Sequence, residues 1–222
     1  MAPTESDASA KWLASSSGEH YERARFETSR ARDRDATCVL ELIDRSLGEQ
    51  RIARALDLPC GSGRLTRALA ARADCYLGID ISRAMLQSAH PTIQELGPRT
   101  LAIEADGMAL PLSSGQFDLV VACRWLHHLH EEASLRAAIG ELVRVSRGVV
   151  IASFWDERSL PGWRRRLGLK RAEGQSGRCA TSREHIAQLF DQAGADVVAW
   201  RATLRFVSQQ TFVAARVRQA PH

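Results

Sequence analysis

ALDLPCGSGRLTRAL, residues 55–69, is the most informative stretch of the chain. An apolar run ends in Asp57, a turn follows that holds Gly61 and Gly63, and helical spacing resumes at once. A strand, a glycine turn and a helix in that order place the unbonded N–H groups of a helix start beside backbone that a ligand can approach closely. A nicotinamide or flavin site of this type asks for G-x-G-x-x-G, and the third position here is Thr66. A carboxylate at the end of the first strand suits a cationic ligand instead.

Outward from this stretch, short apolar runs alternate with helical patterns. Strands are predicted at Ile52 to Leu58, Asp74 to Ile79, Thr100 to Glu104, Phe117 to Cys123 and Gly148 to Phe154. Helices are predicted at Arg64 to Arg72, Arg83 to His90 and Glu131 to Val145, after a first one from Ser29 to Leu47. Such alternation requires parallel strands joined by crossover helices. Toward the C-terminus a helix at Ser182 to Ala193 precedes two runs, Asp196 to Leu204 and Phe206 to Val217, too close for another crossover. They are expected to form an antiparallel hairpin. The fold class is therefore α/β, a doubly wound, Rossmann-like, mostly parallel sheet of seven strands. Residues 1–28 read as a polar arm able to act as a lid, and 29–222 as the main domain. Trp155 to Thr181 matches no strand and reads as an inserted cap near the carboxyl ends of the strands.

Composition sets outer bounds. The 222 residues are 45% hydrophobic and 25% charged, an ordinary globular balance that excludes disorder and coiled coil. No apolar run approaches the roughly 20 residues of a membrane span, and MAPTESDASAKW lacks the apolar segment of a secretory signal. The net charge of +4 is small, and only two of the 30 basic residues are lysine, a bias that looks like genome composition. Nucleic acid is accordingly not an expected partner. Five cysteines without a CxxC pair imply neither a disulfide framework nor a zinc site, so no metal is expected. Free thiols suit a cytoplasmic location.

Two further carboxylates define the ligand. Asp80 closes the second strand in GID, 17 residues after Gly63, where it can accept both hydroxyls of a ribose. Asp106 closes the third strand in EADG, where it can accept from an exocyclic amine such as that of adenine. Three acidic residues at successive strand ends repel phosphate. They suit a ligand with ribose, adenine and a positive charge, a description that S-adenosylmethionine meets.

Through DLPCGSG, GIDIS, EADGMALPLSSGQFDLVVA, WLHHL and ELVRVSRGVVIASF, the chain resembles the class I S-adenosylmethionine-dependent methyltransferases of the small-molecule type, bacterial ones among them. The resemblance covers about Leu56 to Phe154. It implies that Asp57, Gly61 and Gly63 hold the methionine end of the cofactor and Asp80 its ribose. Ile81 and Met85 would flank the adenine, Asp106 and Gly107 would touch its edge, and the main chain at Cys123 would lie near the sulfonium. Tyr21 matches a place where an N-terminal helix folds over the cofactor. Pro59 stands where the family has its first glycine, and Ser146 to Gly148 replaces a Pro-Gly-Gly turn.

Catalysis is less legible. His127 or His128 would act as general base toward the acceptor, or would simply cap a helix start. Arg124 and Asp156 are candidates for substrate contact, against plainer readings as a surface arginine and a partner of a histidine. The Arg164 to Arg171 run reads as a solvated helix face or a contact for phosphate. The expected reaction is methyl transfer to an oxygen or nitrogen of a small molecule, natural-product or lipid-like, by a monomer or homodimer. An RNA-modifying methyltransferase and a catalytically silent cofactor-binding subunit are the alternatives.

Overall fold

Alternation along the strands shows how the sheet is covered. Leu119 and Val121 point to one face while Val120 and Ala122 point to the other, and Val149, Ile151 and Val150, Ala152 repeat the pattern on the next strand. Both sets are buried, so helices must cover both faces. A computed structural model describes residues 29–158, 179–203 and 210–219. Its elements are α1 (Ser29–Leu47), β1 (Ile52–Asp57), α2 (Thr66–Ala70), β2 (Ala73–Asp80), α3 (Arg83–Leu96), β3 (Thr100–Glu104) and β4 (Phe117–Ala122). A 3-10 turn (Leu126–His128), α4 (Glu132–Val145), β5 (Ser146–Asp156), β6 (Ala180–Thr181), α5 (Arg183–Gln192), β7 (Ala195–Ala202) and β8 (Gln210–Val217) follow.

The strand order is β3-β2-β1-β4-β5-β8-β7, with β6 beside the end of β5. β8 runs antiparallel to both its neighbours, and the other described pairings are parallel. This is the doubly wound sheet with a C-terminal hairpin read from the sequence. On one face, Cys38, Val39, Leu42 and Ile43 of α1 and Leu69 of α2 meet Ala55, Leu119, Ile151 and Phe212. On the other, Leu135, Ile139 and Leu142 of α4 and Ile186, Leu189 and Phe190 of α5 meet Leu56, Val120, Val150 and Val213. Each fully buried side chain of this size contributes about 1.5–3 kcal/mol.

Three local expectations change. α3 continues through Pro91 to Leu96 before Gly97 stops it. The first residues of the expected cap are strand: Trp155 and Asp156 prolong β5 and pair with Ala180 and Thr181, which adds an eighth, two-residue strand. Residues 159–178 lie outside the described residues, as do residues 1–28. Ser146 to Gly148 is not a turn but the start of β5. There the glycine is needed for close approach, since a Cβ on Gly148 would stand 2.2 Å from the carbonyl oxygen of Asp118.

The chain runs outward from β1 to β3 and then crosses back to β4 on the other side of β1. The carboxyl ends of β1 and β4 therefore diverge into a crevice at this reversal, the usual ligand position in such sheets.

Candidate active site

The loop after β1 is tied down by backbone and carboxylate together. The Cys60 N–H donates to the Ile79 carbonyl at 2.8 Å, and the Leu58–Pro59 peptide is cis. Gly61 and Gly63 have φ of 56° and 85°, values that side-chain-bearing residues rarely adopt. Asp80 knits this loop to the next one, accepting the Gly61 N–H at 2.8 Å on one carboxylate oxygen and the Ser82 N–H at 2.9 Å on the other. Burial raises its pKa, and the Ser82 and Gly61 N–H groups oppose that rise.

Asp57 is 1% exposed. Its Oδ2 accepts from the Tyr76 hydroxyl at 3.0 Å, which in turn meets Thr66 Oγ1 at 2.9 Å. Its Oδ1 is buried with no hydrogen-bond partner among the described residues. Burial pushes the carboxyl up to about 7, against the Tyr76 hydrogen bond and the Arg64 guanidinium that favour the charged form. A buried carboxylate oxygen without a donor is costly, and a cationic ligand group placed on it would remove that cost. The residues present thus fit a cationic cofactor. The sign of the pH effect follows. Asp57 binds its proton more tightly folded than unfolded, so its contribution to the stability of the ligand-free protein is fully present below about pH 4 and is lost as the pH rises through about 7.

The opposing wall comes from the end of β4. Arg124 has φ of 61°, an uncommon value for a non-glycine residue. Its N–H donates to Ser153 Oγ at 2.7 Å, and Ser153 accepts from Gln210 Nε2 at 3.0 Å, which fixes the turn to β5 and β8. Its guanidinium meets the fully buried carboxylate of Asp35 through Nε at 2.7 Å, and Arg64 reaches the same carboxylate at 2.7 Å. His127 is buried and stacks on Trp155 with ring centroids 5.1 Å apart, and His128 lies 4.3 Å from it. The Cys179 N–H donates to the His127 carbonyl at 2.9 Å, so the chain returning to β6 is tied to the histidine turn.

Asp57, Gly61, Asp80, Ile81, Met85, Cys123, Arg124, His127 and His128 all line the crevice. Gly63 does not, but holds the turn, where a Cβ would crowd Thr66 and Ala89. Asp106 is exposed and accepts the Met108 N–H at 2.9 Å, outside the crevice lining. Gly107 is covered by Trp125, whose ring would lie 3.0 Å from an added Cβ. Asp156 is turned to Arg183 at 2.7 Å and to the Arg158 N–H at 3.0 Å, which gives it a structural role at the β5–β6 junction. Tyr21 and Arg164 to Arg171 lie outside the described residues. Sequence reasoning missed Arg64, Trp125 and the buried Asp35. Arg64 had a local signal, directly after the glycine turn. Asp35 had none, because its partner Arg124 is 89 residues away.

A doubly wound sheet with a crevice at its reversal point, walled in part by the buried carboxylates of Asp57 and Asp80, defines an α/β domain of the ligand-binding kind. Comparison with known proteins agrees. Residues 55–148 match the family model described as "Methyltransferase domain". The ubiquinone biosynthesis O-methyltransferase of Methylococcus capsulatus is 36% identical over 92 residues, 41% of this chain and 39% of that protein. An uncharacterized methyltransferase of Mycobacterium bovis is 30% identical over 99 residues, 45% of this chain and 49% of that one. The matches thus span less than half the length of these relatives. Among solved structures, the magnesium protoporphyrin IX methyltransferase of Synechocystis with bound S-adenosylhomocysteine superposes with a TM-score of 0.74 at 17% identity. It covers 94% of this chain and 97% of that one, a likeness of fold. Residues 55–148 thus carry the likeness to a methyltransferase domain, on a fold shared with a solved methyltransferase.

Proposed function

We propose that the protein transfers a methyl group from S-adenosylmethionine to a hydroxyl of a small organic acceptor. The observation that carries the reading is the pair of unlike walls around one crevice: the buried, partnerless Oδ1 of Asp57 on one side, and His127 and His128 on the other. Asp57 would hold the ammonium of the methionine end, Asp80 the ribose hydroxyls, and Ile81 and Met85 the adenine. Bound S-adenosylmethionine supplies an electrophilic methyl group on a sulfonium. The protein's own share is to align the acceptor with that methyl, a contribution of proximity and orientation. One of the two histidines would take the hydroxyl proton as general base. Oxygen is favoured over nitrogen because the curated relatives include ubiquinone biosynthesis O-methyltransferases. No helix among the described residues is long and apolar enough to cross a membrane, and the acceptor would be met at this crevice.

The test is a His127→Ala, His128→Ala double variant assayed with a panel of phenols and catechols. The methylation rate should fall about 100-fold or more, while affinity for S-adenosylhomocysteine stays within about threefold of wild type. Unchanged turnover would remove the base assignment. Absence of any methyl transfer from radiolabelled cofactor across the panel and a cell extract would point to the silent subunit instead.

A further inference from the structure

Behind the crevice wall runs a polar relay of which the proposed function uses only Asp57. Thr66 of α2, Tyr76 of β2 and Asp57 of β1 are all buried and joined in a line, with contacts of 2.9 and 3.0 Å. An ionised carboxylate can only accept, so the Tyr76 hydroxyl donates to Asp57 and the Thr66 hydroxyl donates to Tyr76. Each donation polarises the next, which strengthens the bond on Asp57. Without this anchor the carboxylate would turn about its terminal torsion, a soft and roughly two-fold rotation. With Oδ2 engaged, Oδ1 is the carboxylate oxygen left without a donor among the described residues, on a residue that lines the crevice.

We infer that Tyr76 is a positioning residue for the cofactor, which through Thr66 holds Asp57 with Oδ1 presented to the ligand's ammonium group. This rests on the methyltransferase reading. It adds a residue that does not line the crevice and that touches the ligand only through Asp57.

The groups that face Asp57 determine what a test must separate. Tyr76 lies beside it on β2 and Thr66 on α2, Asp80 is at the end of β2, and Arg64 and Cys60 belong to the glycine loop. Cys123 completes the set from the end of β4. Burial pushes both thiols far up, so neither ionises below pH 9. Asp80 is also pushed up by burial, but it makes its hydrogen bonds to Ser82 and Gly61 and would serve any adenosine ligand equally. A comparison of two adenosine ligands that differ only in the amino group therefore isolates Asp57.

The experiment is calorimetric titration from pH 6 to 8.5 with S-adenosylhomocysteine and with its deaminated analogue, in which hydrogen replaces the α-amino group. In wild type, S-adenosylhomocysteine should bind at least tenfold tighter than the analogue at pH 8. That preference should decline as the pH falls through about 7, where Asp57 takes up its proton. Tyr76→Phe removes a donor to the charged carboxylate and moves this midpoint upward. At pH 7 the variant should bind S-adenosylhomocysteine several-fold more weakly than wild type and approach it at pH 8.5, with the analogue unchanged throughout. Thr66→Val should shift the midpoint in the same direction by less, and it carries the test if Tyr76→Phe does not fold. A variant profile that coincides with wild type overturns the inference alone. Equal weakening of both ligands at every pH does the same, because it marks Tyr76 as packing only. A wild-type protein that binds neither ligand overturns the cofactor reading and this inference together.

Discussion

Asp80→Ala is expected to lose at least 100-fold in affinity for S-adenosylhomocysteine, measured by titration at pH 8. Two backbone N–H groups, those of Gly61 and Ser82, rest on this one carboxylate. Hydrogen bonds to a charged acceptor contribute about 1.5–3 kcal/mol each, and both would be lost along with the proposed ribose contact. The glycine loop and the start of α3 would then be released from each other at one wall of the crevice. Asp80→Asn keeps one acceptor oxygen and should fall in between. Binding by the alanine variant within a few-fold of wild type would show that the crevice does not depend on this carboxylate.

The second large effect concerns stability. Gly148→Ala places a Cβ 2.2 Å from the Asp118 carbonyl oxygen, and that neighbour is backbone in the adjoining strand β4. The contact sits where the β4–β5 register already shifts between Phe117 and Leu119. Strands must separate or the irregularity must move, at a cost of about 3 kcal/mol or more. For a domain of this size that lowers the melting temperature by roughly 10 °C. Gly140→Ala is the matched control. Gly140 lies inside α4 with nothing within 4 Å of an added Cβ, and alanine there should stabilise by roughly 0.5–1 kcal/mol. Thermal melts of the two variants should move in opposite directions. A Gly148→Ala protein that melts with wild type would mean that β4 and β5 yield freely at this point.

The order of elements was legible because it rests on local patterns. Strands such as FDLVVA end in an apolar run, Leu119 to Ala122, and its burial on both faces follows from helices on both sides. Asp57 and Asp80 were legible for the same reason, since a carboxylate directly after an apolar run must emerge at the strand end. Asp106 shows the limit of that argument. It also follows β3, yet β3 is the outer strand, and its end lies outside the crevice lining. Strand order, which no local pattern encodes, decided the difference. The Asp35 carboxylate was hidden for a related reason. On α1 it is one polar residue among many, and only the packing of α1 against the sheet brings it to Arg64 and Arg124. Asp156 looked equally available from sequence until Arg183, 27 residues later, engaged it.

The place of β8 has a kinetic consequence. β8 fills the gap between β5 and β7, but residues 157–209 separate it in the chain from the β5 edge that it completes. Until Gln210 to Val217 arrive, that edge of β5 exposes unpaired N–H and C=O groups in a strongly apolar strand. Such edges recruit other chains, and pairings across long sequence separations form slowly. Refolding yield should therefore fall steeply with protein concentration and recover when the β8 segment is supplied in trans as a peptide.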